Sequence, residues 1–382
     1  MTRLDENCHG DAKGTDMGSG EGDRSGGALM YGVELASRTS LGLGGPAEYF
    51  ARVTRADDLP VLLDWAARRS LPVTLLGGGS NVVVADAGIG GLVLSLELAG
   101  EAWRREGEFI EVSVGAGEAW DPFVERTVEG GWLGLECLSG IPGRVGATPI
   151  QNVGAYGQDV SQTLVSVDVY DRVQGASYTL ARAECGLGYR TSRFKTRDDD
   201  RFIVLGVTFR LRAGAEGCVA YPELARHFSA PGSPPPSPSA VRRVVLETRR
   251  SKSMLLDPND DNGRSCGSFF LNPELTPAEL DALASRLPAP PPAYAQPDGR
   301  SKVSAAWLIE QAGFRRGERF GNVGISSRHA LALVCHAGAT AGELVAAARR
   351  VRDGVERALG VVLAPEPRFF GFAKASDGLP PA

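Results

Sequence analysis

Cysteine and histidine are scarce in this chain of 382 residues, and neither type is clustered. There are four histidines, and the six cysteines stand singly at Cys8, Cys137, Cys185, Cys218, Cys266 and Cys335. No CxxC pair occurs. Because disulfide frameworks and tetrahedral zinc sites need such residues at short, regular spacings, the sequence predicts neither a disulfide scaffold nor a metal site.

Long apolar runs and a strong net charge are lacking as well. No stretch of about 18 apolar residues occurs, so no transmembrane helix is expected. The net charge of -5 gives no general reason to expect nucleic acid or an anionic membrane as a partner. Residues 1–30 are polar and glycine-rich, without the apolar segment of a signal peptide, and they predict a disordered tail. We therefore expect a cytoplasmic protein of two or three domains.

Two glycine-rich stretches have few bulky side chains and carry no standard nucleotide fingerprint. Residues 76–81 read LGGGSN, and residues 138–157 hold five glycines and one charged residue, Arg144. Neither stretch contains GxGxxG or the Lys-Ser/Thr of a P-loop. Glycine leaves backbone N–H groups open to a ligand, so together the stretches predict a large phosphorylated cofactor between two backbone walls. Taken singly, each also fits a tight turn or an irregular loop.

The hydrophobic pattern predicts a mixed α+β order and not a regular βαβ array. Strands are expected over 72–76, 91–96, 109–114, 164–170 and 202–211. Helices are expected over 54–70, from Asp121 to Gly130, over 241–251 and 303–314, and from a capping box at Thr340 to Gly360. Residues 229–240 contain too many prolines for either element and predict an insertion or linker near a domain boundary.

Three short motifs contain residues that could carry chemistry. Residues 188–195 place an aromatic ring before three cations, residues 267–273 place Ser268 between a glycine and two phenylalanines, and Glu366 stands between two prolines that fix its backbone. Each motif also has a simpler explanation. Residues 188–195 fit a solvated basic turn, residues 267–273 fit a turn whose aromatic rings lie in the core, and the segment around Glu366 fits a rigid surface turn. The residues alone therefore support an enzyme with a large nucleotide cofactor and nothing narrower.

The ordered set of motifs resembles the UDP-N-acetylenolpyruvoylglucosamine reductases, the MurB family. The resemblance covers most of residues 40–371 through LGGGSN at 76–81, SGIPGRVGATPIQNVGAYG at 139–157, GYRTSRFK at 188–195, GSFFLNP at 267–273, SAAWLIEQAGF at 304–314, ISSRHALALV at 325–334 and GVVLAPEPRFFG at 360–371. It implies an α+β fold, with a two-subdomain FAD-binding fold of the PCMH or vanillyl-alcohol-oxidase type and a C-terminal α/β substrate-binding domain. The implied division is a tail over 1–30, FAD-binding subdomains over 31–98 and 99–240, a substrate domain over 241–371 and a flexible tail over 372–382.

The resemblance also implies a reaction. In this family NADPH reduces FAD, which then reduces UDP-N-acetylglucosamine enolpyruvate to UDP-N-acetylmuramate in peptidoglycan precursor synthesis. The expected partners are therefore that sugar nucleotide and NADPH, for a monomer without nucleic acid or membrane contacts. Two alternatives stay open at this point. One is an FAD-dependent oxidase of the same flavin-binding fold, and the other is a catalytically silent nucleotide-binding regulator.

Particular residues take roles by resemblance. Arg190 and Glu366 would stabilise negative charge on the enol carboxylate, and Ser268 would protonate the adjacent carbon. The implied substrate-binding residues are Tyr189, Tyr221, Lys252, Asn272 and Gln311. The implied cofactor-binding residues are Leu76, Gly77, Gly78, Gly79, Ser80, Asn81, Ser139, Gly140, Ile141, Pro142, Gly143, Gly146, Ala147, Gln151, Asn152, Gly154, Ala155 and Tyr156.

The chain departs from the family pattern at Leu271, commonly lysine, so its substrate affinity is in question. It also departs at Cys266, commonly alanine, and at Cys335, commonly asparagine.

Overall fold

The computed structural model describes residues 28–217, 219, 221–229, 234–373 and 378–381. Most of the expected tail over 1–30, part of the proline-rich insertion and part of the expected tail over 372–382 lie outside these residues. Met30 is already part of a strand and pairs with Phe50, so regular structure begins before the expected boundary at residue 31. The described cysteines, Cys137, Cys185, Cys266 and Cys335, are all buried.

A four-stranded sheet with one helix forms the first unit. Its elements in chain order are β1 Met30–Glu34, β2 Pro46–Val53, α1 Asp58–Ala67, β3 Val73–Leu76, β4 Val82–Val84 and β5 Ile89–Leu96. The sheet order is β1-β2-β5-β3, with β5 parallel to both of its neighbours. Leu59 and Leu62 of α1 pack on this sheet. The helix is shorter than the predicted 54–70, because Arg55 to Asp58 form a turn closed by a backbone hydrogen bond of 3.2 Å.

An antiparallel sheet and a second helix form the next unit. Its elements are β6 Glu101–Glu106, β7 Phe109–Gly115, α2 Trp120–Glu129, β8 Trp132–Leu133, β9 Gly154–Ala155, β10 Gln158–Asp159, β11 Leu164–Asp171, β12 Ala176–Ala181 and β13 Phe202–Ala213. The main sheet order is β12-β11-β13-β7-β6. Trp120 and Phe123 of α2 pack against Phe209 of the central strand β13. This core fixes α2 against the sheet, and the glycine-rich stretch that follows the helix leads along the cavity described below.

The remaining elements complete the fold. Helices α3 Pro222–Ala225 and α4 Pro238–Ser251 pack against Cys137 and α2 of the second unit. A third unit with short strands and the longest helix consists of β14 Glu274–Leu275, α5 Pro277–Ala284, β15 Ala293–Ala295, β16 Ser301–Val303, α6 Ala305–Gln311, β17 Arg319–Phe320, β18 Val323–Ile325, β19 Leu333–Cys335, α7 Ala341–Leu359 and β20 Arg368–Phe370. The Thr340–Glu343 capping box and the stop of α7 at Gly360 are confirmed. None of the described helices is long and apolar enough to cross a bilayer.

The predicted boundaries of two of these helices were wrong. Helix α4 begins at Pro238, inside the expected linker 229–240, because Ser237 caps it and a proline at the first helical position lacks only an N–H that the helix does not use. Helix α6 begins at Ala305 and not at residue 303, since Val303 ends a strand and Ser304 caps the helix, and it ends at Gln311, before the predicted residue 314. Proline and serine at these positions act as start signals for the helices.

Several contacts tie the third unit to the first. Strand β20 pairs in parallel with β4, so that Arg368 lies beside Val82. The carboxylate of Asp86 accepts hydrogen bonds from the backbone N–H groups of Ala341 and Gly342, at 2.8 and 3.0 Å, at the start of α7. These contacts bring the end of the chain back against the first glycine-rich turn.

Candidate functional site

A cavity of about 950 Å³ lies where the three units meet. Gly78 of the first unit, Asn152 of the second and Ser268 of the third all line it. Small-molecule pockets span roughly 300–1,000 Å³, so this cavity is large enough for an extended ligand or for two ligands side by side.

The two glycine-rich stretches are neighbouring walls of this cavity. Ser80 Oγ donates to the Pro142 carbonyl at 3.0 Å, and Asn81 Nδ2 donates to Gln151 Oε1 at 2.9 Å. Side chains are excluded at two points of the first wall. A Cβ on Gly78 would lie 2.8 Å from Gly143 Cα, and one on Gly79, whose φ is +66°, would lie 1.8 Å from the Arg38 carbonyl oxygen. At these two positions the neighbouring backbone leaves no room for a side chain.

One buried polar atom in these walls lacks a partner. Asn81 Oδ1 is buried without a hydrogen bond from any described residue, while the other amide atom of the same side chain is engaged. Burying a polar acceptor unpaired is costly, so this oxygen is suited to accept a hydrogen bond from a bound ligand. Together with the glycine-rich walls, it fits a dinucleotide cofactor.

Most of the expected cofactor-binding residues line the cavity, and a few lie behind its wall. The lining members are Gly77, Gly78, Gly79, Ser80, Asn81, Ile141, Pro142, Gly143, Ala147, Gln151, Asn152, Gly154, Ala155 and Tyr156. Leu76 and Ser139 are buried. Gly146 packs against Ala116, and Gly140 packs against Leu246 and Leu255. For these four residues the structure supports a role in shaping the wall.

Five residues that line the cavity have left-handed backbone although they carry side chains. Asn152, Tyr156 and Arg190 have φ values of +46°, +51° and +50°, and Asp200 and Ser253 have +60° and +55°. The Asn152 amide donates to the Gly188 carbonyl at 3.1 Å, and the Arg190 guanidinium donates to the Gly154 carbonyl at 2.5 Å. Such backbone is costly for a residue with a side chain and is concentrated at functional sites. No sequence pattern predicted it.

The three expected catalytic residues come together through a non-local pairing of two segments. The backbone N–H of Glu366 donates to the Phe269 carbonyl at 2.9 Å, which places Glu366 next to Ser268. The Glu366 carboxyl oxygen lies 3.4 Å from Arg190 Nε. All three side chains line the cavity. A cation, a carboxyl group and a hydroxyl thus face one space.

The environment of Glu366 favours its neutral form. Burial raises the pKa of this carboxyl, and the nearby cations Arg190 and Lys195 oppose the rise only in part. Burial in turn lowers the pKa of Lys195, which also lines the cavity. Lys195 and Arg368 were missed as site residues, although both lie in motifs that carry the resemblance. Arg368 lines the cavity and pairs with Asp199 at 2.8 Å.

Four of the five expected substrate-binding residues line another part of the cavity, and the fifth does not. Tyr189, Tyr221, Lys252 and Asn272 are lining residues. Gln311 is exposed at the end of α6, outside the lining, and its role stays a prediction. Sequence reasoning missed Lys302, whose ammonium lies 3.5 Å from the centre of the Tyr189 ring. It also missed His329, where burial, with a smaller effect of Lys252, lowers the pKa to about 4.

Two family models match this chain. The model described as an FAD binding domain matches residues 46–180, and the model described as the C-terminal domain of UDP-N-acetylenolpyruvoylglucosamine reductase matches residues 257–370. Residues of both matched ranges line the cavity, together with residues between the two ranges such as Arg190 and Lys252. An FAD-binding part followed by a distinct C-terminal domain is the arrangement expected from the sequence.

Full-length relatives show the same similarity. The chain is 48% identical over 347 residues to the UDP-N-acetylenolpyruvoylglucosamine reductase of Thermobifida fusca, a match that covers 89% of this chain and 97% of that protein. It is 44% identical to the enzyme of the same name from Streptomyces avermitilis, over 88% of this chain and 94% of that one. The crystal structure of UDP-N-acetylenolpyruvylglucosamine reductase from Thermus caldophilus superposes with a TM-score of 0.58 at 24% identity, covering 90% and 98% of the two chains. The expected fold class is confirmed.

Proposed function

This chain belongs to the UDP-N-acetylenolpyruvoylglucosamine reductase family, and from that membership we propose the reaction that it catalyses. It is an FAD-dependent oxidoreductase that reduces the enolpyruvyl ether of the sugar nucleotide to the lactyl ether of UDP-N-acetylmuramate, a step of peptidoglycan precursor synthesis. The reductase relatives match almost end to end, which does not favour the alternative of an oxidase. We further propose that NADPH is the hydride source and that the protein acts as a cytoplasmic monomer.

The residues present fit FAD. Residues 77–81 and 141–156 would hold its phosphates and ribityl chain through backbone groups, and Asn81 Oδ1 would accept one further hydrogen bond. When bound, this cofactor supplies the hydride that is added to the substrate double bond. The remaining chemistry belongs to side chains of the substrate half of the cavity.

Arg190 and Glu366 are proposed to bind the carboxylate of the enolpyruvyl group. Hydride addition to the methylene carbon moves negative charge toward this carboxylate, and donors already in place there lower the barrier. Arg190 offers a permanent cation that its bond to Gly154 holds in position. Glu366, whose pKa burial raises, offers a carboxyl proton as a hydrogen-bond donor, as an acid in an apolar site can.

Ser268 is proposed to deliver the proton that completes the reduction. The carbon next to the carboxylate is strongly basic after hydride addition, so even a weak acid such as a hydroxyl can protonate it. The backbone turn at Gly267 and the buried rings of Phe269 and Phe270 fix Ser268 at the cavity wall. The Arg190 guanidinium, with Lys195 nearby, would stabilise the alkoxide left on Ser268 until solvent reprotonates it.

Lys252 and Tyr221 are proposed to bind the diphosphate of the sugar nucleotide, and Asn272 with Tyr189 its sugar. The observation that carries the proposed function is the meeting of Arg190, Glu366 and Ser268 in a cavity that also has two glycine walls. The test is to supply the FAD-loaded protein with NADPH and the enolpyruvyl sugar nucleotide under anaerobic conditions and to analyse the sugar nucleotide by mass. A gain of two hydrogens in the sugar nucleotide is expected. Consumption of NADPH only when oxygen is present would instead indicate an oxidase.

A further inference from the structure

The lysine proposed for the substrate diphosphate already has a counter-ion from this chain. Lys252 Nζ lies 2.7 Å from the carboxylate of Glu223, and both side chains line the cavity. Their side chains are 27% and 34% exposed, so the pair stands at the edge of the cavity, where a soluble anion can reach it.

Glu223 is held in this position by its neighbours. It belongs to the short helix α3, whose Leu224 is fully buried against Val241 and Val245 of α4. The residue before α3, Tyr221, packs edge-on against Tyr156 at 5.7 Å, and Lys252 lies 5.9 Å from the centre of the same Tyr156 ring. The segment 221–223 therefore contains both the carboxylate that pairs with Lys252 and the tyrosine that is expected to cover the diphosphate.

We propose that Glu223 is an internal counter-ion that the substrate diphosphate displaces from Lys252. This inference rests on the proposed function, because it takes Lys252 as the diphosphate ligand. In the free enzyme the Glu223 carboxylate neutralises the Lys252 ammonium. When the substrate binds, its diphosphate takes the place of the carboxylate beside this ammonium. When product leaves, Glu223 returns to Lys252, so that the ammonium is not left unpaired at the cavity edge.

The exchange of Glu223 for the diphosphate weakens ligand binding and favours product release. Glu223 competes with the diphosphate for Lys252 and repels the phosphate oxygens. Both effects weaken the binding of every ligand that contains uridine diphosphate, including substrate and product. Substrate is still selected by the contacts of its enolpyruvyl group with Arg190 and Glu366. The counter-ion thus lowers the affinity for the part that substrate and product share, which favours the release of product.

The test measures the affinity of the FAD-loaded full chain for UDP, by titration calorimetry at fixed ionic strength. Glu223→Gln keeps the shape of the side chain and removes its charge, and it should tighten UDP binding roughly threefold to tenfold, the effect of one partly exposed ion pair and one like-charge contact. Affinity for uridine, which has no phosphate, should not change. Glu223→Asp retains the carboxylate and should stay near the wild type.

The matched control is Glu247→Gln. It removes one negative charge from α4, where the Glu247 carboxylate lies 3.8 Å from Arg243 and outside the cavity lining. UDP affinity should be unchanged in this variant. In turnover, Glu223→Gln should lower KM for the sugar nucleotide, with kcat equal or reduced. A merely structural role would instead raise KM and weaken FAD binding.

Three results would overturn the inference. UDP affinity could be unchanged or weaker in Glu223→Gln, equal tightening could occur in Glu247→Gln, or uridine could tighten as much as UDP. If the wild type binds UDP and the variant binds it equally, only this inference fails. If the wild type shows no UDP binding at millimolar concentration, the proposed role of Lys252 fails with it. Should Glu223→Gln not fold, Glu223→Ala is measured against the same controls.

Discussion

Replacement of Ser268 by alanine should block the second half of the reaction and leave the first half intact. The hydroxyl is the proposed proton donor, and losing a general acid costs roughly a factor of 10² to 10⁴, or about 3–5 kcal/mol of barrier. The local fold should survive, because the motif is fixed by the fully buried rings of Phe269 and Phe270 and by the backbone bond from Phe269 to the Leu331 carbonyl. FAD content and melting temperature are therefore expected to match the wild type.

Rapid mixing separates the two half-reactions of Ser268→Ala. Loss of flavin absorption on adding NADPH should proceed at the wild-type rate, and its recovery on adding the enolpyruvyl sugar nucleotide should slow by the stated factor. Ser285→Ala makes the same chemical change at the residue after α5, outside the cavity lining, and both rates should stay unchanged. Recovery at the wild-type rate in Ser268→Ala would refute the reasoning, and the proton would then have to come from water or from Glu366.

Three further predictions follow from the site. Because burial raises the pKa of Glu366 and the proposed donor is its neutral form, substrate reduction should be fastest below that pKa and fall as pH rises through it. In Glu366→Gln this fall should disappear from the pH profile of the half-reaction, whereas an unchanged profile would assign it to another group. Gly79→Ala would place a methyl group against the Arg38 carbonyl at a φ of +66°. The purified variant should therefore contain little FAD, as measured by the ratio of flavin to protein absorbance. Gly299→Ala is the control for backbone strain alone, because Gly299 has a φ of +84° and open space around it. Acid precipitation should release the flavin into the supernatant, since neither glycine-rich wall holds a cysteine or histidine that could tether it, and yellow colour in the pellet would contradict this.

Local chemistry made part of the fold predictable from the sequence. The Thr340–Glu343 capping box was identified because both of its hydrogen bonds join residues three apart. The glycine walls were identified for a similar reason, since the absence of side chains is visible in the sequence itself. Alternating apolar residues likewise located strands such as β7 and β11 within a residue of their ends.

The arrangement of the site depends on contacts between distant segments, which the sequence pattern does not specify. Glu366 reaches Ser268 through a backbone pairing across almost one hundred residues, and only the resemblance to a family indicated that the two belong together. The left-handed backbone of Arg190 is imposed by surrounding bonds and has no signal in the residue type. The Lys252–Glu223 pair was missed because 29 residues separate its members.

The anaerobic spectrum of the purified protein is the most direct test of the central claim that this chain reduces the sugar nucleotide through bound FAD. Flavin absorption should be present at the start, disappear on adding NADPH and return on adding the enolpyruvyl sugar nucleotide, with no oxygen in the cell. Absorption that stays bleached after the sugar nucleotide is added, and returns only when air is admitted, would contradict the account. Absence of flavin absorption from protein refolded with FAD would contradict it at the first step.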